Sequence, residues 1–275
     1  MNEIVKYNNH MNLINFDSFT ATDFNVFFAL CSIFKEKGDT CITLSFSEIK
    51  RLIDYKSTSQ ERFIEDLNTM NTKLQQVNSK TKVNNITLSL ILFPTYIIDE
   101  NKKTLSIRIN PDFAFLLNDL TSHFTLFELK EFVGLKSKYS KTLYRMLKQW
   151  RSVGQYEIND LDKFKEMMDI PASYSNSRIT ARCITPAITE LTETKSFEDL
   201  AVRPIRKGIG GTICGYIFTF TPEKASGTAT YTRAFEKTSE PPKSPNGKNK
   251  FNNFTQRSYD FAELEKLLLS TDPQD

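Results

Sequence analysis

The 275-residue chain has little with which to carry out chemistry. It holds two histidines, His10 and His123, far apart in sequence, and no His-x-His pair. A rolling-circle nickase sets such a pair beside a nucleophilic tyrosine, so that class finds no support. No glycine-rich loop ends in Gly-Lys-Ser/Thr, and a P-loop ATPase is equally unsupported. Gly208, Gly210 and Gly211 lie between two strand patterns, which makes them a turn rather than a phosphate cradle. Carboxylates are plentiful, but no spacing singles out an acid–base pair. Cys31, Cys41, Cys183 and Cys214 show neither metal-ligand nor redox spacing and read as buried free thiols. No apolar run reaches the roughly 20 residues that span a membrane. The start, MNEIVKYNNHMNLIN, lacks the charged head and apolar run of a signal peptide. The expectation is a cytoplasmic protein that is not an enzyme and needs no metal or cofactor.

Strong net charge is also lacking: the total is +3. Its distribution says more. Residues 1–120 carry 13 basic and 14 acidic side chains, residues 121–222 carry 15 and 11, and residues 223–275 carry 8 of each. The excess lies in the middle third, where a polyanion could dock.

What is present is a repeated order of elements. Residues 20–37 place Phe24, Phe27, Phe28, Cys31 and Phe34 on one helical face, with Thr22 or Asp23 near its start. Gly38 ends that helix, TCITL is a short strand, and SFSEIKRLIDY is a helix with Ser45 or Ser47 as its cap. STSQERFIEDLNTMNTKLQQV is a third helix, and residues 85–110 read as strands around a turn at Asp99 to Lys103. The order then returns. KYSKTLYRMLKQW is a helix with Tyr139, Leu143, Met146, Leu147 and Trp150 inward. QYEI is a strand, NDLDKFKEMMDI a helix capped by Asn159 or Asp160, and SRITARCITPAITEL a further helix. Two strands follow around a turn at Lys207–Gly211. Residues 121–134 are expected as the opening helix of the second copy.

Helix, strand, helix, helix, hairpin is the order of a winged helix. The fold class expected is therefore α+β, two tandem winged-helix domains at 1–120 and 121–222. A flexible linker follows at 223–250, rich in Ser, Pro, Lys, Gly and Asn. A short amphipathic tail occupies 251–275, with Phe251, Phe254, Tyr259, Phe261, Leu264, Leu267 and Leu268 as its apolar residues. From Gln256 onward it holds two basic and five acidic side chains, which suits a docking peptide rather than a DNA contact.

Three basic elements fall in the second copy. Residues 136–151 hold six basic residues and no acidic one. Lys138, Lys141, Arg145 and Lys148, spaced three and four apart, predict a basic stripe opposite the apolar face. Together with Lys136, Tyr139 and Ser140 they are candidates for the DNA backbone. Arg203, Arg206 and Lys207 sit at the tip of the hairpin, or wing, where backbone or minor groove is in reach. Between them lies the helix that enters the major groove in a helix-turn-helix. Its candidate base readers are Asn176, Ser177, Arg178, Thr180, Ala181, Arg182 and Thr185. Ser177 and Asn176 could equally be N-caps. Pro186 lies inside this helix, and a proline there kinks or divides the element.

The sequence resembles the iteron-binding plasmid replication initiators, the Rep proteins with two tandem winged helices. The likeness rests on LKSKYSKTLYRMLKQWRSVGQYEINDLDKFKEMMDIPASY, on ITPAITELTE, on GYIFTF and on FTATDFNVFFALCSIFKEKG, and covers about residues 10–222. It implies binding to repeated double-stranded DNA sites at a plasmid origin, melting of an adjacent AT-rich region, and recruitment of the host helicase, helicase loader or primase. It also implies self-association through the first domain, with the dimer repressing its own promoter. Lys50, Arg51, Lys56 and Arg62 are the backbone candidates in that domain. The tail is similar to C-terminal segments of some Gram-positive plasmid and phage replication proteins. The competing expectations are a winged-helix transcriptional repressor and, from another class, a nicking or ATP-hydrolysing replication enzyme.

Overall fold

Thr20 and Ser45 each start a helix by the same device. The structure, a computed structural model, describes residues 3–223 apart from positions 15, 39, 77, 84, 85, 119 and 209, with the backbone alone over 76–90. In it the Thr20 hydroxyl accepts from the Asp23 N–H, and the Asp23 carboxylate accepts from the Thr20 N–H. Ser45 and Glu48 form the same reciprocal pair. Each box satisfies two of the donors that a helix N-terminus leaves orphaned. The first cap is thus Thr20, two residues ahead of Thr22, with Asp23 as its partner; the second is the expected Ser45.

In chain order the elements of the first half are β1 (Ile4–Asn8), α1 (Ala21–Phe34), β2 (Ile42–Ser45), α2 (Phe46–Leu52), α3 (Gln60–Gln76), β3 (Asn78–Val83), β4 (Ile86–Ile91), β5 (Thr95–Asp99) and β6 (Thr104–Arg108). Then come β7 (Phe124–Glu128), α4 (Leu129–Gly134), α5 (Lys138–Gln149), β8 (Gln155–Ile158), α6 (Leu161–Met167), α7 (Asn176–Ile179), α8 (Thr185–Glu193), β9 (Ala201–Lys207) and β10 (Thr212–Thr219). Two antiparallel three-stranded sheets have the same order, β2-β6-β5 and β8-β10-β9. In each, the strand after the first helix pairs with the last strand of the wing. The repeat is therefore one of topology: α1, β2, α2, α3, β5, β6 against α5, β8, α6, α7–α8, β9, β10. These are two tandem winged helices. A further hairpin, β3–β4, precedes the first wing.

Residues 121–134 do not form the opening helix expected of the second copy. They give β7 and then the one-turn α4, and β7 pairs with β1 in the register Ile4↔Glu128 to Asn8↔Phe124. The sequence FTLFE explains this: buried Phe124, Thr125 and Phe127 line a strand, and the helical period is too short-lived to compete. The second copy opens instead with α5.

One continuous hydrophobic cluster runs through both copies. Phenylalanines carry much of it: Phe28 contacts Phe127 and Phe132 with ring centroids 5.7 and 4.8 Å apart, and Phe127 meets Tyr144 of α5 at 5.2 Å. Each such buried side chain contributes about 1.5–3 kcal/mol. Two glycines are required by close approach. A Cβ on Gly215 would stand 2.0 Å from the Ile158 carbonyl oxygen, at the point where β10 shifts register against β9. Gly154, at φ +77°, would meet the Phe220 carbonyl oxygen at 2.6 Å. Cys31 and Cys183 are buried as expected, but Cys41 is exposed and Cys214 partly so. Trp150, expected inward, is 38% exposed. Among the described residues no helix is long and apolar enough to cross a membrane. The linker at 223–250 beyond its first residue, and the tail with Phe251, Phe254, Tyr259, Phe261, Leu264, Leu267 and Leu268, lie outside the described residues.

Candidate nucleic-acid interface

The helix holding the candidate base readers begins at Ser175, whose hydroxyl accepts from the Arg178 N–H at 3.4 Å. The cap is therefore neither Asn176 nor Ser177, and both are left on the first turn. The chain then stays helical from 176 to 193 in three parts: α7, a π segment at Thr180–Ile184, and α8. The Thr185 N–H donates to the Thr180 carbonyl five residues back, the bond that defines the π turn. Pro186 follows at once. Its missing N–H deprives the Arg182 carbonyl of an α-helical donor, and its ring crowds that carbonyl. The extra residue of the π turn widens the backbone just ahead of the ring, so the chain stays helical through Pro186.

This helix has two faces. Ile179, Cys183, Ile184, Ala187 and Leu191 are all buried. Ser177, Arg178, Thr180, Ala181, Arg182 and Thr185 are exposed, and Asn176 is half-buried. Below Thr180 lies Tyr216 of β10, whose buried hydroxyl has no hydrogen-bond partner and whose pKa burial raises. The Thr180 hydroxyl instead donates to the Asn176 carbonyl at 3.0 Å. Among the described residues no carboxylate lies within ion-pair reach of Arg178 or Arg182. The Arg178 guanidinium rests over the Tyr174 ring, 4.7 Å from its centroid.

The inner end of the helix is tied to α5. One Glu190 carboxylate oxygen accepts the Lys136 N–H at 2.6 Å and the other the Ser137 N–H at 3.3 Å. These are donors at the N-terminus of α5, where a negative charge also suits the helix dipole. Glu190 and Tyr174 were not among the sequence candidates. An aromatic four positions ahead of an arginine, and a glutamate one turn past a helical proline, are the signals that would have found them.

The wing carries its basic residues outward: Arg203, Arg206 and Lys207 are all exposed. Arg206 is partly committed, since its Nη1 donates to the Gly211 carbonyl at 2.8 Å and closes the hairpin turn. Arg203 and Lys207 have no ion pair among the described residues. In the first domain Arg51 and Arg62 are exposed, Lys50 lies over the rings of Tyr55 and Phe63, and Lys56 pairs with Asp54 at 2.6 Å.

The basic stripe of α5 is not a surface. Lys141 and Arg145 are 0% and 1% exposed, and Ser140 and Lys148 are also buried. Lys141 Nζ donates to the carbonyls of Phe132 and Val133 at 2.5 and 3.4 Å, capping α4, and burial pulls its pKa down to about 7 against the favourable charge of Glu190. Arg145 donates to the Met11 carbonyl and Asn12 Oδ1, stacks over Phe16, and is lowered to about 10 by burial. Lys148 pairs with Glu223 at 2.7 Å, and half-buried Lys138 pairs with Asp169 at 2.6 Å. Tyr139 is half-buried. Only Lys136 of this group faces solvent. The helix lies between both copies, so its polar side meets protein: Met11, Asn12, Glu131, Asp169 and Glu223 arrive from distant parts of the chain.

Residues 4–148 match the family described as initiator replication protein, WH1, and residues 160–220 match initiator Rep protein, WH2. The chain belongs to the initiator replication protein family. It is 32% identical over 225 residues to a probable replication protein rep of Bifidobacterium longum (strain NCC 2705), a match spanning 81% of this chain and 74% of that one. Among solved structures it resembles a Pi initiator protein in complex with iteron DNA, with a TM-score of 0.62 and 14% identity, over 81% of this chain and 98% of that one. That last likeness is one of fold. The WH1 segment takes in the first topological repeat together with β7, α4 and all of α5 but its last residue, and the WH2 segment begins after β8, so α5, which opens the second repeat, falls within the first segment.

Proposed function

We propose that this chain is a plasmid replication initiator that binds repeated origin sites sequence-specifically, reading bases through residues 176–185 of its second winged helix. One observation carries the proposal: the outward face of that helix offers Ser177, Arg178, Thr180, Ala181, Arg182 and Thr185, its arginines without a carboxylate in ion-pair reach among the described residues, on a fold that presents such a helix to the major groove. Arginine suits guanine O6 and N7, and Thr or Ala suits a thymine methyl. Arg203 and Lys207 on the wing, with Lys136, hold the phosphate backbone. Arg51 and Arg62 do so for the first domain, which also carries the self-association surface.

In the rest of this reading the bound protein opens the adjacent AT-rich DNA and recruits host replication proteins through the tail at 251–275. The dimer represses its own promoter, and the protein acts in the cytoplasm without catalysing a reaction of its own. Footprinting on DNA flanking the gene tests the reading: regularly spaced protected repeats are expected. A single protected operator, with plasmid maintenance unaffected by loss of the gene, would point to a plain repressor. A covalently nicked product on supercoiled origin DNA, or ATP hydrolysis by pure protein, would overturn the non-enzymatic assignment.

A further inference from the structure

We infer that Tyr174 is a positioning residue that holds Arg178 ready to read a guanine, making Arg178 rather than Arg182 the principal specificity residue of the helix. The inference rests on the base-reading role proposed above for residues 176–185.

The geometry differs sharply between the two arginines. Tyr174 is half-buried and packs against the hydrophobic core, and its N–H donates to the Pro171 carbonyl at 3.0 Å. The ring is therefore a fixed platform. Arg178 lies across it, with the guanidinium carbon 4.7 Å from the ring centroid. A guanidinium is planar, and where it lies flat on a ring its N–H edge stays free in the plane. That edge is what a bidentate contact to guanine O6 and N7 needs. Arg182 is exposed, and among the described residues it has no stacked ring, ion pair or hydrogen bond.

A free arginine must surrender its rotamer freedom on binding, and a stacked one has surrendered much of it beforehand. The π segment separates the two. Arg178 stands in the capped first turn, while Arg182 lies within the π turn.

The test is a thermodynamic cycle on the full chain. A duplex selected by the wild-type protein from a randomised library is compared with its shuffled counterpart. Tyr174→Leu keeps apolar bulk but removes the π face. It is expected to weaken the selected duplex about fivefold, the scale of one exposed cation–π contact, and to leave the shuffled duplex unchanged. Tyr174→Phe, which keeps the ring, retains wild-type discrimination. In an Arg178→Ala background, Tyr174→Leu has no further effect.

An equal effect of Tyr174→Leu in both backgrounds would overturn the positioning role while leaving base reading intact. If Arg178→Ala itself leaves discrimination unchanged, Arg178 reads no base and the inference falls with it. If neither Arg178→Ala nor Arg182→Ala matters, the base-reading proposal has failed. The stack is also observable without DNA. The Arg178 Nε–H proton is expected upfield in wild type and Tyr174→Phe, and its appearance at the ordinary arginine position in wild type would sink the inference even if Tyr174→Leu cannot fold.

Discussion

The carboxylate of Glu190 reaches back across 54 residues to accept the backbone N–H of Lys136 at 2.6 Å. One side chain thereby fixes the helix at 176–193 against the start of α5. Hydrogen bonds to a charged acceptor are worth about 1.5–3 kcal/mol each way of counting, so Glu190→Ala is expected to cost about that much stability, and Glu190→Gln, which keeps only an amide oxygen, less. Urea denaturation of the three proteins measures it. Equal midpoints for wild type and Glu190→Ala would show that the contact holds nothing.

Lys141 makes stability pH-dependent. Its folded pKa, about 7, lies below the ordinary lysine value, so between the two the unfolded chain binds more protons than the folded one. Stability is therefore expected to rise from pH 7 towards pH 10, and to show no pH dependence from this group well below pH 7, where both states are protonated and the cost of burying the charge is complete. Lys141→Met should flatten that rise. Urea midpoints at pH 7, 8 and 9 decide it, and a parallel slope in both proteins counts against a buried, titrating lysine.

Buried and exposed cations should separate in salt dependence. Arg203→Ala or Lys207→Ala is expected to lower the slope of log K against log salt by about 1, the signature of one lost phosphate contact. Arg145→Met, inside the protein, should leave that slope alone. Its effect belongs to stability: Arg145→Ala opens a cavity and costs about 2–5 kcal/mol, while the length-matched methionine costs less. A changed slope for Arg145→Met would return α5 to the DNA surface.

Pro186→Ala restores an N–H opposite the Arg182 carbonyl and removes the ring that the π turn accommodates. Relaxation to a plain α-helix would take one residue out of the turn and swing residues 176–182 by about 100° about the axis. Discrimination between selected and shuffled duplexes is expected to fall about tenfold, the scale of one lost base contact of about 1–3 kcal/mol, with shuffled-duplex affinity retained. Unaltered discrimination would show that the π turn does not set the register of the readers.

Much of the fold was legible because its signals are local. Helical periodicity, Ser45, Asp160 and the turn at Lys207–Gly211 each follow from residues a few positions apart, whereas α1 stops at Phe34, short of the expected Gly38. The exposed face of the helix at 176–193 was legible for the same reason. The role of α5 was not. Its basic residues at three- and four-residue spacing describe a stripe, but whether a stripe meets water depends on Glu131, Asp169 and Glu223, and on a carbonyl at Met11. The strand at Phe124–Glu128 failed similarly, since its partner lies at the opposite end of the domain.

That pairing has a consequence for how the chain is made. The strand Ile4–Asn8 is synthesised more than a hundred residues before its partner, Phe124–Glu128. During that interval the first winged-helix sheet can already close, while Val5 and Tyr7, fully buried in the finished protein, lack part of their cover: Tyr7 can pack on Phe28 of α1 but not yet on Phe127 of β7. A fragment ending at residue 120 would keep them in that condition permanently, as an unpaired apolar edge prone to aggregation. Nascent chains paused before Glu128 are thus the stage of biosynthesis at which a chaperone has most to protect.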